Sequence, residues 1–226
     1  MTVKNRDGSA VDGKVRRRDP DRSRQAILDA AEQVFAREGY DGASMAAIGK
    51  AAGVSGTLPG YFFGDKATLY AAVIDRLFEE RNRALEELGR AATAVLKEED
   101  GLRRGLEVLV GGYLRFLLAR PTFVQLMARD ALEMTRSGRA TEPRHSAAYE
   151  SSVRGFLAAL SPPPGPGVEP DQLLISIVAL CFFPLEHDAT MLAGMGYRAW
   201  TPAFVGKRTE HVVDILLRVL TTTPVR

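Results

Sequence analysis

Residues 44–66 read SMAAIGKAAGVSGTLPGYFFGDK, and their spacing predicts two short helices joined by a fixed turn. Ser44 can cap the first helix through its hydroxyl, and apolar residues then recur at three- and four-residue intervals. Gly53 stands where a helix end favours a left-handed backbone, and Ser55 can cap a second helix that begins over residues 56–58. Small residues let the two helices touch, so the pattern indicates a helix-turn-helix.

The longer string IGKAAGVSGTLPGYFFGDKATLY resembles the N-terminal domain of the TetR family of bacterial transcription regulators. The likeness covers roughly residues 21–78, and the rest of the chain agrees in length and helical pattern only. The resemblance implies an all-α fold, with an N-terminal three-helix helix-turn-helix DNA-binding domain and a larger C-terminal helical domain for ligand binding and dimerisation.

Two departures from the family pattern affect the second helix of the motif. Gly49 stands where Ala is usual, and we expect this change to be harmless. Pro59 and Gly60 stand where an aliphatic residue and Tyr are frequent, so the usual tyrosine contact to phosphate is missing or moved to Tyr61. Because Pro59 has no N–H for the Ser55 carbonyl, we expect a short, tight second helix whose first turn survives.

Composition bounds the class of protein. The chain has 226 residues, of which 46% are hydrophobic, so it can bury an ample core. Its formal charge of +2 does not by itself indicate a nucleic-acid partner. One Cys excludes an internal disulfide, and the sequence contains no metal-ligand spacing and no phosphate-binding or catalytic motif. We therefore expect no enzymatic activity, no metal and no cofactor.

Targeting signals are absent from the sequence pattern. The first residues are polar and lack the apolar core of a signal peptide. The longest nearly apolar run, residues 173–185, is much shorter than the ~20 residues that a membrane span needs. A cytoplasmic protein without a membrane partner is expected.

The chain divides into three parts by charge and periodicity. Residues 1–20 form a basic arm that precedes a DNA-binding domain at 21–66, and 67–226 form the effector-binding and dimerisation domain. The arginines at 16–18 suit an arm that lies along phosphates or enters a minor groove. A solvated tail is the equal alternative.

DNA-contacting candidates come from the motif and its flanks. The first turn of the second helix should face base edges in the major groove. Tyr61 should reach a backbone phosphate or a base, and Lys66 should reach a phosphate. The resemblance to the family supports the role of Lys66, although a merely solvated lysine is the alternative. The candidates are Arg22, Ser44, Lys50, Ser55, Gly56, Thr57, Leu58, Pro59, Tyr61 and Lys66.

Apolar and aromatic residues in the C-terminal helices supply a candidate effector pocket. Asp130 falls within an otherwise apolar stripe, where it either binds a cationic or hydrogen-bonding effector, or pairs with a nearby Arg or lies at the water edge. The second reading is preferred. The pocket candidates are Tyr113, Phe116, Phe123, Met127, Asp130, Tyr149, Phe156 and Cys181.

Two late helices are candidates for a dimer interface. Residues 171–192 are apolar on nearly every side, which favours burial against a second subunit, and Pro184 should kink that helix. Burial of both helices within one monomer is the alternative. The interface candidates are Leu174, Ile177, Val178, Phe182, Val212, Ile215, Leu216 and Val219.

The sequence thus predicts a homodimeric regulator that binds a pseudo-palindromic operator and is released by a small apolar or amphipathic effector. Three alternatives stay open. The first is an activator of the same family or a regulator without a ligand, and the second is a helical ligand-binding or interaction protein that does not read DNA. The third is an enzyme, which turnover dependent on a pocket residue would reveal.

Overall fold

The structure, a computed structural model, describes residues 19–137, 147–161, 163–165 and 168–221, with side chains at all of these except 131–137 and 147–150. Within these residues, nine α-helices are accompanied by a 3₁₀ turn at Val95–Lys97 and a π-helical segment at Asp188–Leu192. The helices are α1 (Pro20–Gly42), α2 (Met45–Ala51), α3 (Leu58–Phe63), α4 (Lys66–Ala94), α5 (Gly101–Ala119), α6 (Pro121–Ser137), α7 (Ala147–Ala158), α8 (Pro170–Glu186) and α9 (Pro202–Thr221).

Helices α1, α2 and α3, with the first turns of α4, make up the head of the molecule. The Asp19 carboxylate caps α1 by accepting from the backbone N–H of Asp21 at 3.0 Å. Gly39, with a φ of +76°, interrupts the helical backbone, and the helix then continues to Gly42. The head buries apolar side chains from every helix, namely Ile27, Ala31, Phe35, Ile48, Phe63 and Leu69.

The second helix of the motif, α3, is shorter than predicted at its start. It spans Leu58–Phe63, and residues 56–57 form a turn before it instead of its first helical residues. The N–H of Leu58 donates to the Ser55 carbonyl at 3.0 Å, which is the tighter i to i+3 pattern. Pro59 cannot supply the α-helical bond to that carbonyl. The prediction of a short, tight helix is confirmed. The prediction that its first α-helical turn survives is wrong.

Gly49 is not a harmless replacement for Ala. A Cβ atom built on Gly49 would lie 2.8 Å from the Ser55 carbonyl oxygen and 2.9 Å from the Gly56 Cα, and both are backbone atoms. Real Cβ atoms do not approach backbone so closely, so the absence of a side chain lets the turn lie directly on α2. The particular turn in this chain depends on that glycine.

Helix α5 lies at the centre of the body and packs against α4 and α9. Two of its glycines allow close packing. A Cβ on Gly105 would meet the Phe156 ring at 2.7 Å, and one on Gly112 would overlap Leu88. Because these neighbouring side chains fill the space, the small residues of α5 bring helices together there.

Helix α8 ends earlier than predicted. It stops at Glu186, and the chain continues into the π-helical segment Asp188–Leu192 instead of extending one helix to residue 192. Pro184 lies inside the last turns of α8 and cannot donate to the carbonyl of Leu180, four residues earlier. The Arg208 Nε of α9 donates to that carbonyl at 3.0 Å and satisfies it.

The remaining helices complete the body. Helix α4 runs to Ala94, and Pro121 begins α6 at a position where the missing N–H of proline costs no helical bond. Helix α7 is described over Ala147–Ala158. Among the described residues, every helix is too short or too polar to cross a bilayer.

Candidate nucleic-acid interface and its connection to the body

Helix α2 is capped and terminated by local backbone geometry. The Ser44 hydroxyl accepts from the N–H of Ala47 at 3.1 Å, as the capping prediction requires. Gly53 has a φ of +67°, and the N–H of Val54 donates to the Gly49 carbonyl at 2.9 Å. These bonds close the end of α2 and fix the direction in which the chain leaves it, because a left-handed residue reverses the path at low cost.

The turn before α3 presents its polar atoms to solvent. Ser55, Gly56 and Thr57 are exposed, and the hydroxyls of Ser55 and Thr57 lie 3.0 Å apart. Tyr61 follows one turn later and is 81% exposed. A phenol with that exposure has its hydroxyl free to bond a phosphate or a base edge. Three of the predicted contact residues and Tyr61 therefore share an accessible surface, which we call the reading surface (Ser55–Thr57 and Tyr61).

Pro59 and Leu58 do not belong to that surface. Pro59 is buried and Leu58 is half-buried against the core of the head. The prediction of Pro59 as a DNA-contacting residue is corrected accordingly, because its ring packs inside the head and cannot also reach a base.

Lys66 is engaged within the head. Its Nζ donates to the carbonyls of Tyr40 at 2.9 Å and Ala43 at 3.1 Å, and it lies 4.5 Å from the centre of the Tyr40 ring. An ammonium group has three donors, so at most one is left for a phosphate. Lys66 thus fixes the start of α4 to the segment between α1 and α2, a positioning role that the sequence reading missed.

Basic residues of α1 and α2 border the reading surface in different ways. Arg22 and Lys50 are exposed, as expected for phosphate contacts. The Arg24 guanidinium stacks over the Phe63 ring at 4.9 Å and links α1 to α3. Arg16, Arg17 and Arg18 of the predicted arm lie outside the described residues.

A polar network centred on the buried Glu32 joins the head to the body. The Arg76 guanidinium of α4 donates to Asp29 and Glu32 of α1, in each case at 2.6 Å. Glu32 is only 7% exposed and also accepts from the Thr122 hydroxyl of α6. Burial alone would lower the pKa of Arg76, but the hydrogen bonds and charges of the two carboxylates outweigh burial and raise that pKa. The network (Asp29, Glu32, Arg76 and Thr122), called here the junction, connects three helices.

Two further contacts tie α6 to the head. The Tyr70 hydroxyl donates to the Asp130 carboxylate at 3.0 Å, and Arg129 donates to the Arg37 carbonyl at 3.2 Å. Asp130 is half-buried and has a partner within the protein, which favours the second of the two readings of this residue. Its partner is a tyrosine and not the expected arginine. Any displacement of α6 therefore acts directly on α1 and α4.

Most of the predicted effector-pocket residues lie in one aromatic part of the body. The Tyr113 and Phe116 rings stack at 6.4 Å, and Phe116 meets Phe123 edge-on at 5.7 Å. Tyr113, Phe123, Phe156 and Cys181 are buried, while Phe116 and Met127 are half-buried. The Tyr149 side chain lies outside the described residues.

Two cavities open on the body. One, of about 600 Å³, lies between α4 and α7, and Phe156 is the one predicted pocket residue in its wall. The second, of about 630 Å³, is bordered by the end of α8, the π-helical segment and α9, and contains none of the predicted residues. We call the second one the α8–α9 cavity. Its walls come from residues 183–211, where the chain leaves α8, turns and enters α9.

The predicted interface residues divide between core and surface. Val212 and Leu216 are fully buried and Ile177 is nearly so, which places them in the core of the protomer. Leu174, Val178, Phe182 and Ile215 are half-buried, and Val219 is exposed. Ile175 and Phe183, not among the predicted residues, are exposed on α8. An apolar surface remains on α8 and α9, although it is narrower than predicted.

Nucleophilic and metal chemistry finds little support in the described residues. Burial raises the pKa of the Cys181 thiol to about 12, against a smaller opposing effect of the Arg208 charge. The thiolate is the reactive form, so this cysteine is inert near neutral pH. The described side chains contain no group of three or more potential metal ligands.

The capped α2, the glycine turn and the exposed start of α3 define a helix-turn-helix DNA-binding protein. The sequence profile of bacterial regulatory proteins of the tetR family matches residues 27–73, which contain this motif. These residues are therefore similar to the DNA-binding domain of the TetR family of transcriptional regulators.

Similar proteins extend the likeness beyond the head. The chain is 26% identical over 182 residues to the HTH-type transcriptional repressor NicS of Pseudomonas putida, covering 78% of this chain and 82% of NicS. A TetR-family regulator from Mesorhizobium loti MAFF303099 has the same fold, with a TM-score of 0.65, 21% identity, and coverage of 88% of this chain and 97% of that one. A transcriptional regulator from Streptomyces coelicolor superposes with a TM-score of 0.60 at 21% identity, covering 85% and 97%.

Proposed function

We propose that this regulator is a homodimeric repressor that binds a pseudo-palindromic operator in the cytoplasm and leaves it when a small apolar or amphipathic molecule occupies the body. Residues 21–66 act as the DNA-binding domain, and 67–226 act in effector binding and dimerisation. The observation that carries the proposal is the reading surface, where a tight turn exposes Ser55, Thr57 and Tyr61 together. NicS, a relative over most of the chain, is named a repressor.

Recognition of DNA would begin with backbone contacts. The exposed Tyr61 hydroxyl, Arg22 and Lys50 bind phosphates, and the N–H groups around Ser44 add to them. Thr57 and the bare backbone at Gly56 approach base edges. With no Arg, Asn or Gln on the reading surface, few direct hydrogen bonds to bases are available, so groove shape carries a share of the specificity.

Release would pass through α6. The junction bonds α6 to α1 through Thr122 and Glu32, and Arg76 joins the same carboxylate to α4. A ligand that favours one position of α6 therefore favours one orientation of the head. In a symmetric dimer, a change of that orientation alters the distance between the two reading surfaces, and the operator no longer fits both.

A gel-shift titration of a selected operator at several salt concentrations tests the reading surface. We expect Tyr61→Ala to weaken binding about tenfold, since a hydrogen bond to a charged phosphate is lost. The Tyr61→Phe variant distinguishes the contribution of the hydroxyl from that of the ring.

Lys66→Ala should weaken operator binding as well, mainly by loosening the start of α4. Arg83→Ala, which removes an exposed charge from α4 outside the head, is the control. Unchanged binding by Tyr61→Ala at every salt concentration would contradict the proposal.

A further inference from the structure

We propose that the α8–α9 cavity binds a small amphipathic anion, with a carboxylate held by Arg198 and Arg208 and an apolar body held by the surrounding aromatic and methionine side chains. This inference deepens the proposed response to a small molecule and rests on it, but its test measures binding without DNA. The two can therefore fail separately.

The size and the walls of the cavity suit a small organic molecule. Its volume of about 630 Å³ falls within the range of roughly 300–1,000 Å³ typical of ligand pockets. Phe183, Met191, Met195 and Tyr197 form part of the lining, and each is between 44% and 62% exposed. Large apolar side chains around a concavity offer an apolar surface to an organic ligand, which displaces water from that surface.

The polar part of the lining has one sign of charge. Arg198, Lys207 and Arg208 line the cavity together with His211, and no Asp or Glu belongs to the lining. The nearby Asp188 is engaged elsewhere, since its carboxylate accepts from the backbone N–H of Ala199 at 2.5 Å. Because low-dielectric walls strengthen the field of such charges, the cavity favours an anion over a neutral ligand.

Arg208 is the central group. Its Nε donates to the carbonyl of Leu180 that Pro184 leaves unbonded, and this bond fixes the base of the guanidinium. None of the described carboxylates forms an ion pair with it. Burial lowers the pKa of Arg208, against a smaller opposing effect of Cys181. A planar guanidinium with its Nη groups free of carboxylates matches the two oxygens of a ligand carboxylate.

A second copy of this chain is a poorer occupant of the cavity. Two-fold pairing of this face with itself would bury Arg198, Lys207 and Arg208 against a copy of the same lining, which holds no Asp or Glu to pair with them. Like charges at short range repel, whereas a small anion would neutralise them. The cavity is therefore assigned to a ligand and not to the dimer contact.

Two fluorescent probes that share a skeleton test the assignment on the full chain. The anionic probe is 8-anilinonaphthalene-1-sulfonate, and the neutral probe is N-phenyl-1-naphthylamine. We expect the anionic probe to bind about tenfold more tightly, and decanoate but not decanol to displace it. Arg208→Gln should weaken the anionic probe about tenfold while changing the neutral probe less than about twofold.

Two other variants keep the test decisive. Arg198→Gln removes an exposed lining cation without touching the Leu180 bond, and it should weaken the anionic probe several-fold. Lys97→Gln removes one positive charge outside the cavity and should change nothing. Equal affinity for both probes, or anionic-probe binding that neither arginine variant alters, would overturn the inference.

Sedimentation and DNA retention complete the design. Probe binding that appears only as the dimer dissociates would assign the cavity to the second copy and overturn the inference. If a duplex is retained specifically but the anionic probe does not bind, the inference fails and the proposed function stands. If the probe binds with the expected selectivity and no duplex is retained, the DNA-binding function fails and the binding site stands.

Discussion

The junction and the α8–α9 cavity each contain an arginine partly withdrawn from water, but the two side chains meet opposite surroundings. Arg76 lies between two carboxylates at 2.6 Å, and its pKa is raised. Arg208 has a carbonyl partner at 3.0 Å and no carboxylate among the described residues, and its pKa is lowered. The first guanidinium is neutralised by the protein itself, whereas the second lacks a counter-charge.

This difference separates a structural charge from a binding charge. The ion pairs of Arg76 join α4 to α1, so this arginine keeps the two helices together. An arginine anchored by one carbonyl keeps most of its donors for another molecule. The same residue type thus joins the head to the body in one region and supplies a binding group in the other.

The largest expected effect is at the junction. Arg76→Gln leaves Glu32 buried without its counter-charge, and we expect a loss of about 3 kcal/mol in the free energy of unfolding. Urea unfolding measures it, with Arg83→Gln as the control on an exposed part of α4. Combining Arg76→Gln with Glu32→Gln should restore part of the loss. A loss below about 1 kcal/mol would mean that the junction does not hold the head.

The next effect concerns the link to α6. Thr122→Val removes the hydroxyl that donates to Glu32 while keeping the shape of the side chain. We expect the free energy of unfolding to fall by about 1–2 kcal/mol, because one oxygen of a buried carboxylate is left without its donor. The same unfolding experiment checks it. A matched loss in the Glu32→Gln background would show that the hydroxyl acts independently of the carboxylate and would contradict a shared network.

At the α8–α9 cavity, Arg208→Gln should lower the free energy of unfolding by only about 1 kcal/mol, because one hydrogen bond to a carbonyl is lost. Pro184→Ala gives residue 184 an N–H that can bond the Leu180 carbonyl within α8. In that background the loss caused by Arg208→Gln should be smaller, and a double-mutant cycle measures the difference. Equal losses in both backgrounds would disprove the link between Pro184 and Arg208.

The smallest effect is the response of Cys181 to pH. Its folded pKa of about 12 lies above the ordinary value of 9.0, so the thiol contributes stability below pH 9 that is lost as pH rises towards 12. When the pH is raised from 8 to 9.5, the free energy of unfolding of the wild type should fall by roughly 0.8 kcal/mol more than that of Cys181→Ala. Urea unfolding at the two pH values compares them. Parallel pH dependence in the two proteins would mean that the thiol next to Arg208 is not desolvated.

Local features of the head could be predicted because their causes lie within a few residues of sequence. Ser44 caps α2, Gly53 adopts a left-handed backbone, and Pro59 shortens α3, each by a rule that involves close neighbours. The tertiary contacts of the head were not predicted. Lys66 bonds a carbonyl 26 residues away, and Glu32 meets a hydroxyl 90 residues away, so no periodicity could have revealed them.

The body was less predictable for a related reason. Its helices are apolar on several faces, and periodicity does not say which face meets α5 and which faces outward. Val212 and Leu216 therefore looked like interface residues, although they fill the protomer core. The α8–α9 cavity depends on where α8 stops, and that end is fixed by Pro184 with an arginine from another helix.

Selection of genomic fragments by the intact protein tests the central claim most directly. The account predicts enrichment of one inverted repeat whose half-sites lie one helical turn of DNA or a multiple apart, about 34 Å per turn, and loss of that enrichment in Tyr61→Ala. Recovery of fragments with no shared sequence, or of a single half-site bound by a monomer, would contradict it.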